Sequence, residues 1–429
     1  MNLRIVFSIL GLLLLYNACS TAVADKIVHS QDEPAKEKKF GTIPFALYTE
    51  QLEFAAGIGF GWSGFQHGQA GIYGAALYTT NHSNGIYLRG SQFQIRDRLF
   101  MDASYINALY KDQRIYIRNN PDFPTEAGGT NESSEDNYLA GPGRDGLFDL
   151  DFYYLLPLGD GRTNIVRDYT LADGVLTSPP SGGQRWDPRV SGRSYVHLVP
   201  FYRLQDYGHE IGVADFRTNG LKLELEYDNR DFPDNPTYGS YQEFRVLRDF
   251  GWGDSSDSWT VIDLEFNKYF PLRETPSIRQ QVIALGFWTA DTPTWEQVQQ
   301  GAITVDRHRP PPYMGATLGG IYRLRAYPSD RFNDKAAIYY SAEYRVMPRS
   351  NPLGNLSFLR FFEIDWWQIV GFVEVGRVAP DWRIKTLHTD MQRDIGIGLR
   401  AMTLRAVVRL DAAFSDESWQ IYAMAGHPF

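Results

Sequence analysis

Cysteine is all but missing from this sequence: Cys19 is the only one. Metal-binding patterns are missing too. The eight histidines are scattered, with no His-x-x-x-His or His-Glu-x-x-His spacing, so zinc chemistry finds no ligand set. Gly61-Trp62-Ser63-Gly64 is not the Gly-x-Ser-x-Gly elbow of hydrolases, and no nucleophile is recognisable beside a base. No enzyme activity, metal or cofactor is therefore expected. Basic clusters are lacking as well. Lys and Arg number 42 against 51 Asp and Glu, a formal charge of −9, which argues against nucleic acid as a partner. Beyond the first two dozen residues no segment approaches the roughly 18 apolar residues of a spanning helix.

What is present begins with an address. Arg4 supplies a positive n-region, Ile5–Tyr16 an apolar h-region, and Ala22-Val23-Ala24 a small-residue cleavage site, so residues 1–24 read as a signal peptide. Cys19 offers a second reading, a lipoprotein signal with an acylated Cys19, against which Tyr16-Asn17-Ala18 stands as a poor processing sequence. Removing 24 of the 429 residues leaves 405 and no cysteine; Arg4 is the only charge lost, so −9 becomes −10. A secreted chain without cysteine cannot be a disulfide scaffold and must fold around a large core or a closed sheet. Residues 25–43 include Asp32-Glu-Pro-Ala-Lys-Glu-Lys-Lys39, charged and aperiodic, and read as a flexible periplasmic lead-in.

From Pro44 to Phe429 the pattern is one of short strands. In Leu221–Asp228, Leu221, Leu223, Leu225 and Tyr227 share one face and Lys222, Glu224, Glu226 and Asp228 the other. Trp259–Phe270 repeats this with Ile262, Leu264 and Phe266 opposite Asp263, Glu265 and Asn267. Thr403–Phe414 repeats it with Leu404, Val408 and Leu410 opposite Arg405, Arg409 and Asp411. In Ala337–Val346, Ile338, Tyr340 and Tyr344 lie opposite Tyr339, Glu343 and Arg345. Alternation also explains the pair Asp149 and Asp151 more cheaply than calcium binding does. A soluble sheet would turn the apolar face inward; a barrel in lipid turns it outward and keeps charge in the lumen. Residues 117–147 and 171–194 break the rhythm with Gly, Pro, Asn and Ser. Such stretches are rare in soluble domains, and outer-membrane barrels carry them as long extracellular loops. Tyr78, Trp259, Tyr269, Trp366 and Trp367, at strand ends, read as an interfacial girdle. The final run, Gln420–Phe429, reads as a strand that closes the cylinder.

Four segments carry a resemblance. They are Tyr227-Asp-Asn-Arg-Asp-Phe-Pro-Asp-Asn-Pro-Thr-Tyr-Gly-Ser240, Gly319-Gly-Ile-Tyr-Arg-Leu-Arg-Ala-Tyr327, Phe372-Val-Glu-Val-Gly376, and Ile395–Arg400 through Arg409-Leu-Asp411 to Gly426-His-Pro-Phe429. Over Leu221–Phe429 the chain resembles the barrel of the BamA/TamA-type outer-membrane assembly factors, the bacterial surface antigen family. The resemblance implies an all-β, antiparallel transmembrane barrel of about 16 strands in the bacterial outer membrane. It implies a sixth loop folded into the lumen, with Gly319, Gly320, Arg323, Leu324, Arg325, Ala326 and Tyr327 at its tip. Arg325 would dock on Glu343 and Glu374, while Asp228, Arg230, Asp231 and Gly239 would form a strand-turn network. Gly426 and Phe429 would belong to the closing strand. Ala326 departs from the family's usual Gly, which would leave the tip without a residue suited to positive φ. Between the cleavage site and the first strand there is no room for the family's POTRA domains. The implied role is membrane biogenesis, meaning protein insertion or translocation, or lipid handling, through a lateral seam. Its partners would be lipopolysaccharide, phospholipid, client outer-membrane proteins or a separate periplasmic protein. A passive pore for small solutes is the alternative.

Overall fold

The computed structural model describes residues 26–30, 39–49, 53–66, 68–208, 215–300, 303–311, 313–356, 362–403 and 406–429. The signal peptide, Cys19, and Leu404 with Arg405 lie outside the described residues. In chain order the strands are β1 (Lys26–Ser30), β2 (Lys39–Thr49), β3 (Glu53–Phe65), β4 (Ala70–Thr79), β5 (Asn84–Arg96), β6 (Leu99–Ile115) and β7 (Leu139–Leu155). There follow β8 (Arg167–Ala172), β9 (Val175–Leu176), β10 (Arg193–Asp206), β11 (Phe216–Asp228), β12 (Gly239–Phe250), β13 (Ser258–Pro271) and β14 (Ile278–Asp291). Next come β15 (Glu296–Gln300), β16 (Ile303–Arg307), β17 (Ala316–Leu318) and β18 (Phe332–Asp334). The last five are β19 (Ala336–Pro348), β20 (Ile364–Ala379), β21 (Gln392–Thr403), β22 (Ala406–Phe414) and β23 (Trp419–Ala425).

Sixteen of these form one antiparallel sheet in the order β2-β3-β4-β5-β6-β7-β10-β11-β12-β13-β14-β19-β20-β21-β22-β23. Its burial is inverted relative to a soluble sheet. On β11, Leu223 and Leu225 are 45% and 48% exposed, while Glu224, Glu226 and Asp228 are buried. The same inversion runs through β13 and β20, where Leu264 and Val373 are exposed while Asp263 and Glu374 are buried. An apolar exterior around an ionic interior is stable only where the exterior meets hydrocarbon. The fold is the all-β barrel that the alternation implied.

Several boundaries differ from the sequence reading. Residues 25–43 are not simply a lead-in. Lys26–Ser30 is a strand, and the sheet begins at Lys39 rather than Pro44. Residues 139–147, read as loop, are the first half of β7, so Pro142 and the glycines around it sit in a strand, and Asp145 takes a bidentate bond from Arg203 (3.0 and 2.7 Å). Thr403 ends β21 and pairs with Ala406 across a hairpin, so Thr403–Phe414 is not one strand.

Residues 171–194 are corrected most. The segment between β7 and β10 lies at the end of the barrel that bears the chain termini, opposite the long loops. There β8 pairs in parallel with β1 and antiparallel with β9, making a small three-stranded sheet. Tyr169 and Leu171 of β8 pack with Phe232, Met347, Trp366, Met402 and Val407, and Trp366 Nε1 donates to Gly174 O at 2.9 Å. This sheet plugs the terminus-bearing mouth. It also takes Trp366 out of the girdle, since that side chain faces inward onto the plug; Trp259, packed with Phe201 and Val261 at the opposite end, and Tyr269, packed with Val282 and Phe429, are buried as well. Tyr78, 56% exposed, stays outside, as does Trp367, which shares the outward face of β20 with Ile369 and Val373.

Candidate functional site

The connection between β14 and β19 organises the interior. Its base is the β17–β18 ladder, Ala316 to Leu318 against Asp334 to Phe332. The tip turns back through Gly319, whose φ of +107° and closeness to Pro328 O, 2.3 Å from where a Cβ would stand, admit only glycine. Gly319 N donates to Arg323 O and Gly320 N to Tyr327 O, both at 3.0 Å, which folds the tip into a compact loop. Leu318, Leu324, Ala326, Tyr327 and Phe332 pack with Trp288, Tyr339 and Phe372 of the wall. The positive φ expected at position 326 falls instead on Leu324, at +54°, so Ala326 needs no glycine. Burial of Leu324 in that apolar cluster offsets the cost of order 1–3 kcal/mol for such a backbone.

Arg325 is wholly buried. Its Nε donates to Glu374 Oε1 at 3.0 Å, Nη2 to Glu343 Oε1 at 3.0 Å and Nη1 to Asp411 Oδ2 at 2.7 Å; its backbone N donates to Glu374 Oε2 at 2.7 Å. Its guanidinium carbon lies 3.5 Å from the centre of the Phe372 ring. Around it Arg345 Nε bonds Glu343 Oε2 at 2.9 Å, Arg400 Nη2 bonds both Glu343 oxygens at 2.8 Å, and Arg409 Nη1 bonds Asp411 at 2.9 Å. Ala326 N donates to Asp394 Oδ2 at 2.9 Å. Four guanidinium groups thus face four carboxylates in a water-poor layer, where charge-assisted bonds are strong and any unpaired member is costly. Arg323, at the side of the tip, bonds Glu265 Oε2 at 3.1 Å and stacks 4.0 Å over Trp288.

The structure therefore brings Arg325, Glu343 and Glu374 together. Asp411, Asp394, Arg345, Arg400 and Arg409 complete the layer and were not singled out from the sequence as partners. Their signal was there: Arg409 and Asp411 fall on the charged face of β22, and Arg400 ends the segment Ile395–Arg400. Asp228, Arg230, Asp231 and Gly239 form a separate cluster at the terminus-bearing end. Arg230 bonds Asp228 twice (2.9 and 2.8 Å), and Asp231 accepts from Thr237 N at 2.9 Å and Thr237 Oγ1 at 2.6 Å. Gly239, with φ +99°, lets Asn229 O come within 2.0 Å of a would-be Cβ. Burial raises the Asp231 carboxyl above its ordinary range, against the hydrogen bonds from Thr237.

Gly426 and Phe429 are not in the last strand. β23 ends at Ala425; Gly426, at φ +77°, turns the chain out of the sheet, its N–H bonding Val407 O at 2.8 Å. Phe429 then packs inside against Tyr269, Val282 and Ala284 of β13 and β14, with Arg345 5.4 Å above its ring. His427 Nδ1 lies 2.6 Å from Arg400 Nη1, an arrangement that requires a neutral ring. Burial, with Arg345 and Arg400 beside it, holds the imidazole well below its usual range.

The opposite half of the lumen is open. A cavity of about 1580 Å³ runs along the wall from β4 to β13 and past the loop tip to β23. One carboxylate enters it from β6, three from β7, two from β11, one from β12 and two from β13, against the cations Arg89, Arg114, Arg203, Lys222 and Arg245 of those walls. At the loop end, residues 116–138 cover the lumen. Arg331 bonds Ser133 O at 2.6 Å, Asn333 N bonds Gly129 O at 2.6 Å, and Arg118 bonds Asp334 at 3.0 Å.

No family model and no curated protein matches this sequence. Solved structures match its fold. The chain is similar to BamA from Haemophilus ducreyi, in a crystal structure lacking POTRA domains 1–3, with a TM-score of 0.50, 11% identity, and coverage of 91% of this chain and 70% of that one. It is likewise similar to CdiB from Escherichia coli, with a TM-score of 0.53, 9% identity, and coverage of 90% of this chain and 62% of that one. At these identities the likeness is one of fold, that of a bacterial outer-membrane β-barrel of the BamA type.

Proposed function

We propose that this BamA-type barrel acts in biogenesis at the bacterial outer membrane, inserting or translocating polypeptide through a lateral seam. One observation supports this above the rest. Every neighbouring pair in the sheet from β2 to β23 is joined by a ladder, whereas β2 and β23 approach each other with no ladder between them among the described residues. An unpaired edge is a template for another strand, and a client strand is the natural occupant. Gly426 supports the same reading by carrying the chain inward and shortening the last strand where it would pair. On this reading the terminus-bearing mouth with its plug faces the periplasm, and the apolar exterior meets phospholipid and lipopolysaccharide. A separate periplasmic protein would deliver the client.

A passive pore is the second reading, favoured by the charged cavity. Against it stand the loop tip in the lumen and the small sheet across the lower mouth, which together oppose steady conduction. A disulfide engineered between β2 and β23 separates the two. For a biogenesis factor it should abolish complementation of an envelope-assembly defect, with recovery in reductant. Undiminished complementation, together with a large steady conductance in planar bilayers, would favour the pore.

A further inference from the structure

Carboxylates in the open half of the lumen stand where a sheet would avoid them. Glu226 of β11 is directly opposite Glu243 of β12, and Glu243 is directly opposite Glu265 of β13. Farther along the wall Asp102 of β6 is directly opposite Asp151 of β7. Like charges at directly opposed positions of neighbouring strands are destabilising. The cations present resolve this conflict only in part. Arg89 bonds Asp102 at 2.6 Å, Arg323 bonds Glu265 at 3.1 Å, Arg245 is shared between Asp263, at 2.7 Å, and Glu243, at 3.2 Å, and Lys222 is held by Glu224. Glu226 is left with no Lys or Arg within 4 Å among the described residues. Between the two carboxylate groups sits His197, only 4% exposed. Its Nδ1 meets Asp151 at 3.0 Å, but its Nε2 has no hydrogen bond and stops 3.7 Å short of Glu226.

We infer that this wall is a binding track for an extended cationic chain, a Lys- or Arg-rich polypeptide segment lying in the lumen. Three features select that ligand. The acceptors are strung across β6, β7, β11, β12 and β13 rather than gathered, and among the described residues no three His, Cys, Asp or Glu side chains converge as metal ligands do. The cavity, at about 1580 Å³, exceeds the few hundred to 1,000 Å³ typical of small-molecule sites. A cationic side chain placed beside Glu226, opposite Glu243, converts the remaining repulsion into a charge-assisted bond, which favours binding. The identification of the ligand as polypeptide rests on the proposed role in biogenesis; the cationic preference rests on the wall alone.

The test is binding of fluorescent hexalysine to the purified mature protein, followed by anisotropy over a range of salt. Wild-type protein should bind it with an affinity that falls as salt rises, and should not bind hexaglutamate. Combined Glu226→Gln and Glu243→Gln substitution should weaken binding by about tenfold. Glu274→Gln, in an exposed turn where Glu274 pairs with Arg349, should leave it unchanged. Because the Gln variant relieves repulsion, its denaturation midpoint should be no lower than that of wild type. Equal affinity for wild type and the Gln variant would overturn the inference, as would a lower midpoint for the empty variant. Spermine competing as strongly as hexalysine would assign the wall to compact amines and overturn the polypeptide reading. Should hexalysine fail to bind while the β2–β23 disulfide still blocks assembly, the track falls and the biogenesis reading stands.

Discussion

The two halves of the lumen are built from the same residue types and reach opposite solutions. Against β19–β22, four arginines meet Glu343, Glu374 and Asp411 while Asp394 takes the Ala326 N–H, the loop tip fills the space, and Arg325 has no exposed surface. Against β6–β13, carboxylates outnumber cations, some face each other in register, and a large cavity is left. The difference lies in what the long connection covers. A buried ionic layer is tolerable only when every member is paired, so the covered half has to be balanced. The open half borders the cavity, where water can reach the carboxylates, so an excess of one sign costs less there than in the covered half. One half fixes the barrel; the other is available to a ligand.

The largest expected effect tests the covered half. Arg325→Ala leaves Glu343, Glu374 and Asp411 without their shared partner, and should cost about 3–5 kcal/mol, seen as a lower denaturation midpoint of the refolded barrel. Lys222→Ala, in the open half, should cost only about 1 kcal/mol in the same assay, because water can replace the ammonium group beside Glu224. Comparable losses for the two would erase the contrast between the halves. Ala326→Gly should destabilise by roughly 0.5–1 kcal/mol, since position 326 has no positive φ to favour glycine. A gain would move the strain from Leu324 to Ala326.

Smallest is the pH effect at the edge of the covered half. The His427 ring is held neutral, its folded value below the ordinary one of about 6.5. A depressed value means the contribution is full above that pH and is lost as pH falls toward the folded value. Wild-type stability should therefore fall more on acidification from neutral pH than that of His427→Gln, by denaturation at matched pH. Parallel profiles would remove His427 from the account.

Much of this was legible in the sequence, in physical terms. Alternation on β11 and β13 gave the two faces, and the signal peptide and long loops of the rest of the chain decided that the ionic one faces inward. The parity that put Asp263 and Glu265 inside also put Trp259 and Tyr269 there, so reading those aromatics as a girdle ignored a signal already in hand. Alternation gives the face but not the height on the wall. That is why Asp411 and Arg400, 86 and 75 residues beyond Arg325 in the numbering, could not be picked out as neighbours of the tip. The plug was not legible at all. Its pairing joins Lys26–Ser30 to Arg167–Leu171, and nothing in either short segment specifies a partner so distant in sequence.

The division of the lumen is open to a single direct measurement. Cysteine introduced at Ala108, a partly exposed residue of the cavity wall, and at Ser341, buried on the inward face of β19, can be titrated in separate proteins with a water-soluble maleimide. Labelling should be fast at position 108 and slow at 341, with 341 becoming reactive once Arg325→Ala frees the tip. Equal labelling in the parent barrel, or a position 341 indifferent to loss of Arg325, would contradict that division.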